Sequence, residues 1–171
     1  DRPLLTGRGR FGDDAPVRAG TLHAAVLRSP HAHARLLAVR SDKAMALPGV
    51  RAVLTAADVQ RWSKPFIVGV KAPMELWALA VDKVRYVGEP VAVVVAESRY
   101  IAEDALELLE ADYESLPPVT DIRAAIAEGA PVLHEKVGSN VVSDRSFRYG
   151  DPEQAFASAP HRVALTVEYP R

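Results

Sequence analysis

The chain has 171 residues, 49% of them hydrophobic, with a formal charge of −1 and a pI near 6.6. That suits one ordinary domain, or one domain and part of a second, with enough apolar material for a real core; the charge balance gives no pull toward nucleic acid or an anionic membrane. The absence of cysteine excludes disulfides, thiol catalysis and Cys-ligated zinc or iron–sulfur centres within these residues, and fits a reducing, cytoplasmic compartment.

Taken in order, DRPLLTGRGRFGDDAPVRAG is a charged, Gly/Asp/Pro-rich arm without the apolar core of a signal peptide. TLHAAVLRS (21–29) alternates and predicts a strand that Pro30 ends. ARLLAVRS (34–41) predicts a second strand, with Ser41 placed to cap a short helix that stops at Pro48-Gly49. VRAVLT (50–55) is a third strand, followed by one or two helical turns in AADVQRW. Residues 61–80 lack a clean period, carry both tryptophans, and form a loop long enough to suggest a function. A short strand at 83–86 and a Gly88-Glu89-Pro90 turn lead into the all-apolar run VAVVVA, expected to be covered on both faces.

The strongest predicted helix starts at a Ser98 cap, with Ile101, Ala102, Ala105, Leu106, Leu108 and Leu109 as its apolar stripe. ADYESLPPV is a further strand running into a turn, and DIRAAIAEGA a short helix ending at Gly129. Beyond it lie a connector with a strand over 141–149, a helix opened by Asp151-Pro152, and a last strand over 161–169. That last strand is expected to be poorly anchored or to pair with another chain through an open edge. The missing initiator Met and the ending inside VALTVEYPR suggest a piece of a longer protein. No run of about 18 apolar residues occurs.

Four stretches invite chemistry. In RSPHAHA, His31 and His33 would share a side of an extended segment. They could be two ligands of a metal, although zinc wants three or four; the alternative is a turn in which Ser29 and His31 satisfy local backbone groups while His33 enters the next strand. Glu89 could be a general base if buried, or a residue of a structural turn with local partners. GRGRFGDD follows no strand and opens no helix, so it fails the context of a phosphate loop; Arg8 and Arg10 suit docking contacts or solvent. Glu103, Asp104, Glu107 and Glu110 read as a solvated helix face.

The blocks TGRGRFGDD, LHAAVLRSPHAHARL, LPGVRAVLTAADV, VRYVGEPVAVVVAE, AEDALELLEADYESLPPVTD and GDPEQAFASA, in that order, resemble the N-terminal part of the molybdenum-binding large subunit of the xanthine dehydrogenase / aldehyde oxidase / aerobic carbon monoxide dehydrogenase family. The resemblance implies an α/β (α+β) hammerhead domain with a mixed sheet and packed helices over residues 1–130. Residues 131–171 would be the incomplete beginning of the molybdopterin-binding domain. It implies a molybdenum hydroxylase whose molybdopterin–molybdenum cofactor binds elsewhere in the full subunit, with iron–sulfur clusters and FAD on partner domains or subunits. No catalytic, cofactor-binding or metal-binding residue is expected here, and the isolated fragment is expected to be inactive. The resemblance also favours the turn over the metal pair at RSPHAHA. In relatives a loop placed like 61–80 approaches the funnel to the molybdenum site, which makes Phe66, Val70, Met74, Leu76 and Trp77 candidates for a substrate channel or an interface. The competing expectations are an apolar loop packed on its own domain, and a stand-alone binding or assembly module that keeps the fold without catalysis.

Overall fold

A computed structural model describes residues 1–66 and 74–169. The N-terminal arm carries one helical turn, α1 (Arg2–Leu5), and a 3-10 turn at Gly12–Asp14. Strand β1 (His23–Arg28) is followed by β2 (Ala34–Arg40), α2 (Asp42–Met45), β3 (Val50–Leu54) and α3 (Ala56–Trp62). Then come β4 (Lys83–Val84), β5 (Pro90–Ala96), α4 (Arg99–Glu107), β6 (Glu110–Ser115), α5 (Ile122–Ala125) and α6 (Pro152–Ser158).

The strands form two three-stranded sheets, ordered β1-β5-β3 and β4-β2-β6. Every pairing is antiparallel, so the α+β arrangement holds while the expected mixed sheet resolves into two antiparallel ones. The reason lies in the connections: β1 and β2, adjacent in sequence, go to different sheets. The turn between them therefore joins two layers and does not close a hairpin.

β5 is central in its sheet, which accounts for its all-apolar sequence. Val91, Ala92, Val94 and Ala96 are fully buried, while Val93 and Val95 are half-buried. Helix α4 lies over this sheet and buries Ala102 and Ala105 against Ala92, Val94 and Ala96; alanine on both surfaces lets helix and sheet approach closely. Ser98 caps α4 as expected, its Oγ accepting the Ile101 N–H at 3.2 Å. Gly49 is required where it stands: its φ is +90°, and a Cβ there would lie 2.7 Å from Ile101 Cδ1 of α4. A second cluster, Ala34, Ala80, Val84 and Val91, joins β2 and β4 of the other sheet to the start of β5. Leu27 and Val39 pack on both clusters and join them into one seam.

Three expectations fail. The stretches 141–149 and 161–169 form no strand, because no other described segment offers them a ladder. The Ser41 side chain makes no cap bond, although the residue does occupy the N-cap of α2. Asp151, in contrast, caps α6 through the Gln154 N–H at 3.1 Å.

Candidate functional site: a cleft beside two interlocked turns

The two turns singled out in the sequence meet. Ser29 N–H donates to the Glu89 carbonyl at 2.9 Å, and Gly88 N–H donates back to the Ser29 carbonyl at 2.8 Å. Arg28 reaches the Gly88 carbonyl at 2.8 Å. Ser29 is buried; its Oγ accepts the His31 N–H and donates to the His31 carbonyl, both at 3.0 Å. The imidazoles then take different partners. His31 lies against the Tyr113 ring, with centroids 4.8 Å apart. His33 is buried and holds its Nδ1 2.8 Å from the Pro117 carbonyl, so Nδ1 is the protonated nitrogen, donating to that oxygen. Among the described residues, no group of three or more His, Cys, Asp or Glu side chains is placed to hold a metal ion. RSPHAHA is a layer-joining turn.

A cleft of about 620 Å³ opens on the other side of the Gly88-Glu89 turn. One wall comes from the long loop: Phe66 N–H donates to the Leu76 carbonyl at 2.7 Å, and this bridge brings Phe66, Leu76 and Trp77 together along the cleft. Ala80 and Pro90 also line it, tied by an Ala80 N–H to Pro90 carbonyl bond of 2.8 Å. The polar part of the lining comes from two segments distant in sequence, Arg85 with Glu89 and His134 with Glu135 and Lys136. Of the five candidates, three line the cleft. Met74 is half-buried and outside its lining, and Val70 lies outside the described residues.

Glu89 has the most unusual setting. Burial raises its pKa above the ordinary carboxylate value, against the opposing pull of the Arg85 N–H and guanidinium. Its Oε2 accepts the Arg85 N–H, which closes the turn on itself. Burial also lowers the His134 pKa, helped by the Arg85 charge. Glu75 is held below the usual range by Lys136, and Glu135 by Lys83. Arg85 is pinned by the Leu133 carbonyl at 3.0 Å and the Lys83 carbonyl at 3.2 Å. The Glu89 carboxylate thus has a turn to hold, and the charged groups around it are engaged by partners. An aromatic–apolar wall beside such charged groups can bind and orient a small molecule.

The sequence left Glu75, Arg85 and the His134–Lys136 group unmarked. Arg85 stands inside the block VRYVGEPVAVVVAE and His134 is one of the scattered histidines, but neither has a paired spacing, and opposite charges in KVR and HEK, about fifty residues apart, are too common to single out.

The chain is an α+β domain of two antiparallel sheets with a lined cleft at its side. The family described as aldehyde oxidase and xanthine dehydrogenase, a/b hammerhead domain, matches residues 6–117, and the chain belongs to it. Among its relatives is the nicotine 6-hydroxylase large subunit of Paenarthrobacter nicotinovorans, 41% identical over 172 residues that span 96% of this chain and 20% of that protein. Quinoline 2-oxidoreductase from Pseudomonas putida 86 superposes with a TM-score of 0.77 at 44% identity, over 94% of this chain and 21% of that one. A Cu,Mo-CO dehydrogenase gives 0.72 at 36% identity, over 94% and 22%. The chain spans about a fifth of the length of the relatives it matches. No described helix is long and apolar enough to cross a membrane.

Proposed function

We propose that this chain is the N-terminal part of the large, molybdopterin-binding subunit of a cytoplasmic molybdenum hydroxylase, and that its contribution is structural and to substrate access. Residues 1–130 are the hammerhead and 131–171 begin the molybdopterin-binding domain. The observation that carries the reading is the similarity of nearly the whole chain to one fifth of a large hydroxylase subunit, in a chain whose cleft carries an aromatic–apolar wall.

The cofactor itself does not fit this cleft. A phosphate-bearing pterin needs free N–H donors or unpaired cations. The cations by the cleft are taken: Lys83 by Glu135, Arg85 by Asp82 and the Leu133 carbonyl, Lys136 by Glu75. The cofactor, the iron–sulfur clusters and the FAD belong to the rest of the subunit and its partner subunits, and the isolated fragment is inactive. Phe66, Leu76 and Trp77 form part of the wall of the substrate route, with Met74 and Val70 on the same loop.

The test is purification of the native protein that contains this sequence, with metal analysis and dye-linked oxidation assays. Molybdenum together with C–H or carbon monoxide oxidation supports the reading. In that holoenzyme Trp77→Ala should raise KM for an aromatic substrate about two- to ten-fold, the loss of one aromatic contact, with kcat and molybdenum content unchanged. A metal-free protein without such activity would overturn the assignment and leave a stand-alone binding or assembly module.

A further inference from the structure

Residues 131–140 follow α5 and return across the hammerhead. One side chain holds the foot of this segment. Asn140 Oδ1 accepts the Leu133 N–H at 3.0 Å, while Nδ2 donates to the carbonyls of Ala125 at 2.9 Å and Pro131 at 2.8 Å. With one acceptor and two donor bonds all made to backbone, the orientation of the amide is fixed by chemistry. Between the ends the chain turns tightly, Val137 N–H donating to the His134 carbonyl at 2.9 Å and Gly138, at φ +73°, donating to the Glu135 carbonyl at 3.0 Å.

The tip is tied differently. Arg85 Nε donates to the Leu133 carbonyl at 3.0 Å, Lys83 pairs with Glu135, and Lys136 pairs with Glu75 at 2.9 Å. Lys83 and Arg85 belong to the β4 side of the cleft, whereas Glu75 stands on the long loop beside Leu76 and Trp77. The tip therefore bridges both sides, and His134 lines the cleft between the ties. The ties are unequal. The Lys83 and Glu135 side chains are 15% and 57% exposed, those of Lys136 and Glu75 67% and 45%. An exposed pair of that kind contributes little and breaks readily, while the foot rests on bonds to backbone that do not depend on it. The foot is held by bonds to backbone, and the tip by two ion pairs, the more exposed of which joins Lys136 to Glu75.

We propose that residues 131–140 form a strap that gates the cleft, hinged at Asn140 and latched by two ion pairs, Lys83 with Glu135 on one side and Lys136 with Glu75 on the other. What passes beneath it rests on the access role proposed above; the strap itself rests on its own bonds.

Hydrogen exchange of the intact protein, read by mass spectrometry on peptides covering 131–140, separates the two. Lys136→Glu should speed exchange there by about two- to five-fold, the worth of an exposed pair, and lower KM for a bulky substrate. The swap Glu75→Lys with Lys136→Glu should restore both. Raising salt to about 1 M should reproduce the faster exchange in the unaltered protein by screening the latch. Unchanged exchange in peptides covering β5 verifies that each variant is folded. Exchange indifferent to the single change and to salt, or not restored by the swap, overturns the strap. Exchange that responds while substrate kinetics do not would keep the strap and remove the access role.

Discussion

Strand β5 and the stretch 161–169 are written in similar residues and end in opposite places. β5 places Val91, Ala92, Val94 and Ala96 wholly out of solvent. Along 161–169, Val163 is 91% exposed and Leu165 83%, although Val163, Leu165, Val167 and Tyr169 alternate as an amphipathic strand should. The difference is partnership. β5 has β1 on one edge and β3 on the other, with α4 across its sheet, whereas no described segment pairs with the tail. Alternation states which face would be buried, and only a neighbouring strand turns that into burial.

The largest expected effect strikes the best-partnered point. Val94→Asp would bury a carboxylate between β1 and β3 beneath α4, with no cation among the residues of its cluster. It should cost about 4 kcal/mol or more, read by denaturant unfolding. A cost under about 1 kcal/mol would mean that the β5 layer is not the core, and the contrast with the tail would collapse.

Gly49→Ala comes next. The substitution places a Cβ at a left-handed φ and against Ile101, and should cost about 1–3 kcal/mol. Because the obstacle is one methyl of α4, Ile101→Val in the same chain should recover part of the steric share and none of the backbone share. Full recovery would show that strain at Gly49 contributes nothing.

Glu89 lies at the border between core and cleft, and its effect is smaller because the group keeps partial contact with solvent. Burial raises its folded pKa, so folding favours the neutral form. That contribution is present below the ordinary glutamate range and is lost as pH climbs through the raised value. Glu89→Gln retains an oxygen for the Arg85 N–H and removes the titration. Its stability should therefore gain on the original protein as pH rises from the ordinary glutamate range through the raised value, and parallel pH curves would sink the idea. Glu75 and Glu135, lowered by Lys136 and Lys83, and His134, lowered by burial, carry the opposite sign: their contributions stand at neutral pH and fade on acidification.

What could be read in the sequence was local. The bounds of β1, β2, β3, β5, α4 and α6 and the caps at Ser98 and Asp151 depend on residues a few positions apart, and they stand close to where pattern and capping chemistry put them. What depended on distant partners could not be read. His33 is fixed by Pro117, 84 residues away. The polar wall of the cleft needs Lys83 to meet Glu135, 52 residues away. The division into two sheets follows from β2 finding β4 and β6, a choice that the alternation within β2 does not encode. The aromatic wall stood out because residues 61–80 broke every period, which marks a segment that secondary structure does not explain.

The smallest effect is the sharpest check on the contrast. Leu165→Ala removes a large apolar side chain from an alternating stripe, a change that costs about 2–5 kcal/mol in a packed core. Here Leu165 is already exposed, so truncation opens no cavity and strips little buried area. The expected cost is below about 0.5 kcal/mol, by denaturant unfolding of this chain. In a larger protein that supplies a strand beside 161–169, the same substitution should return to the core range. A core-sized loss in this chain would show that the stripe is already packed, and that Val163 and Leu165 belong with β5 rather than opposite it.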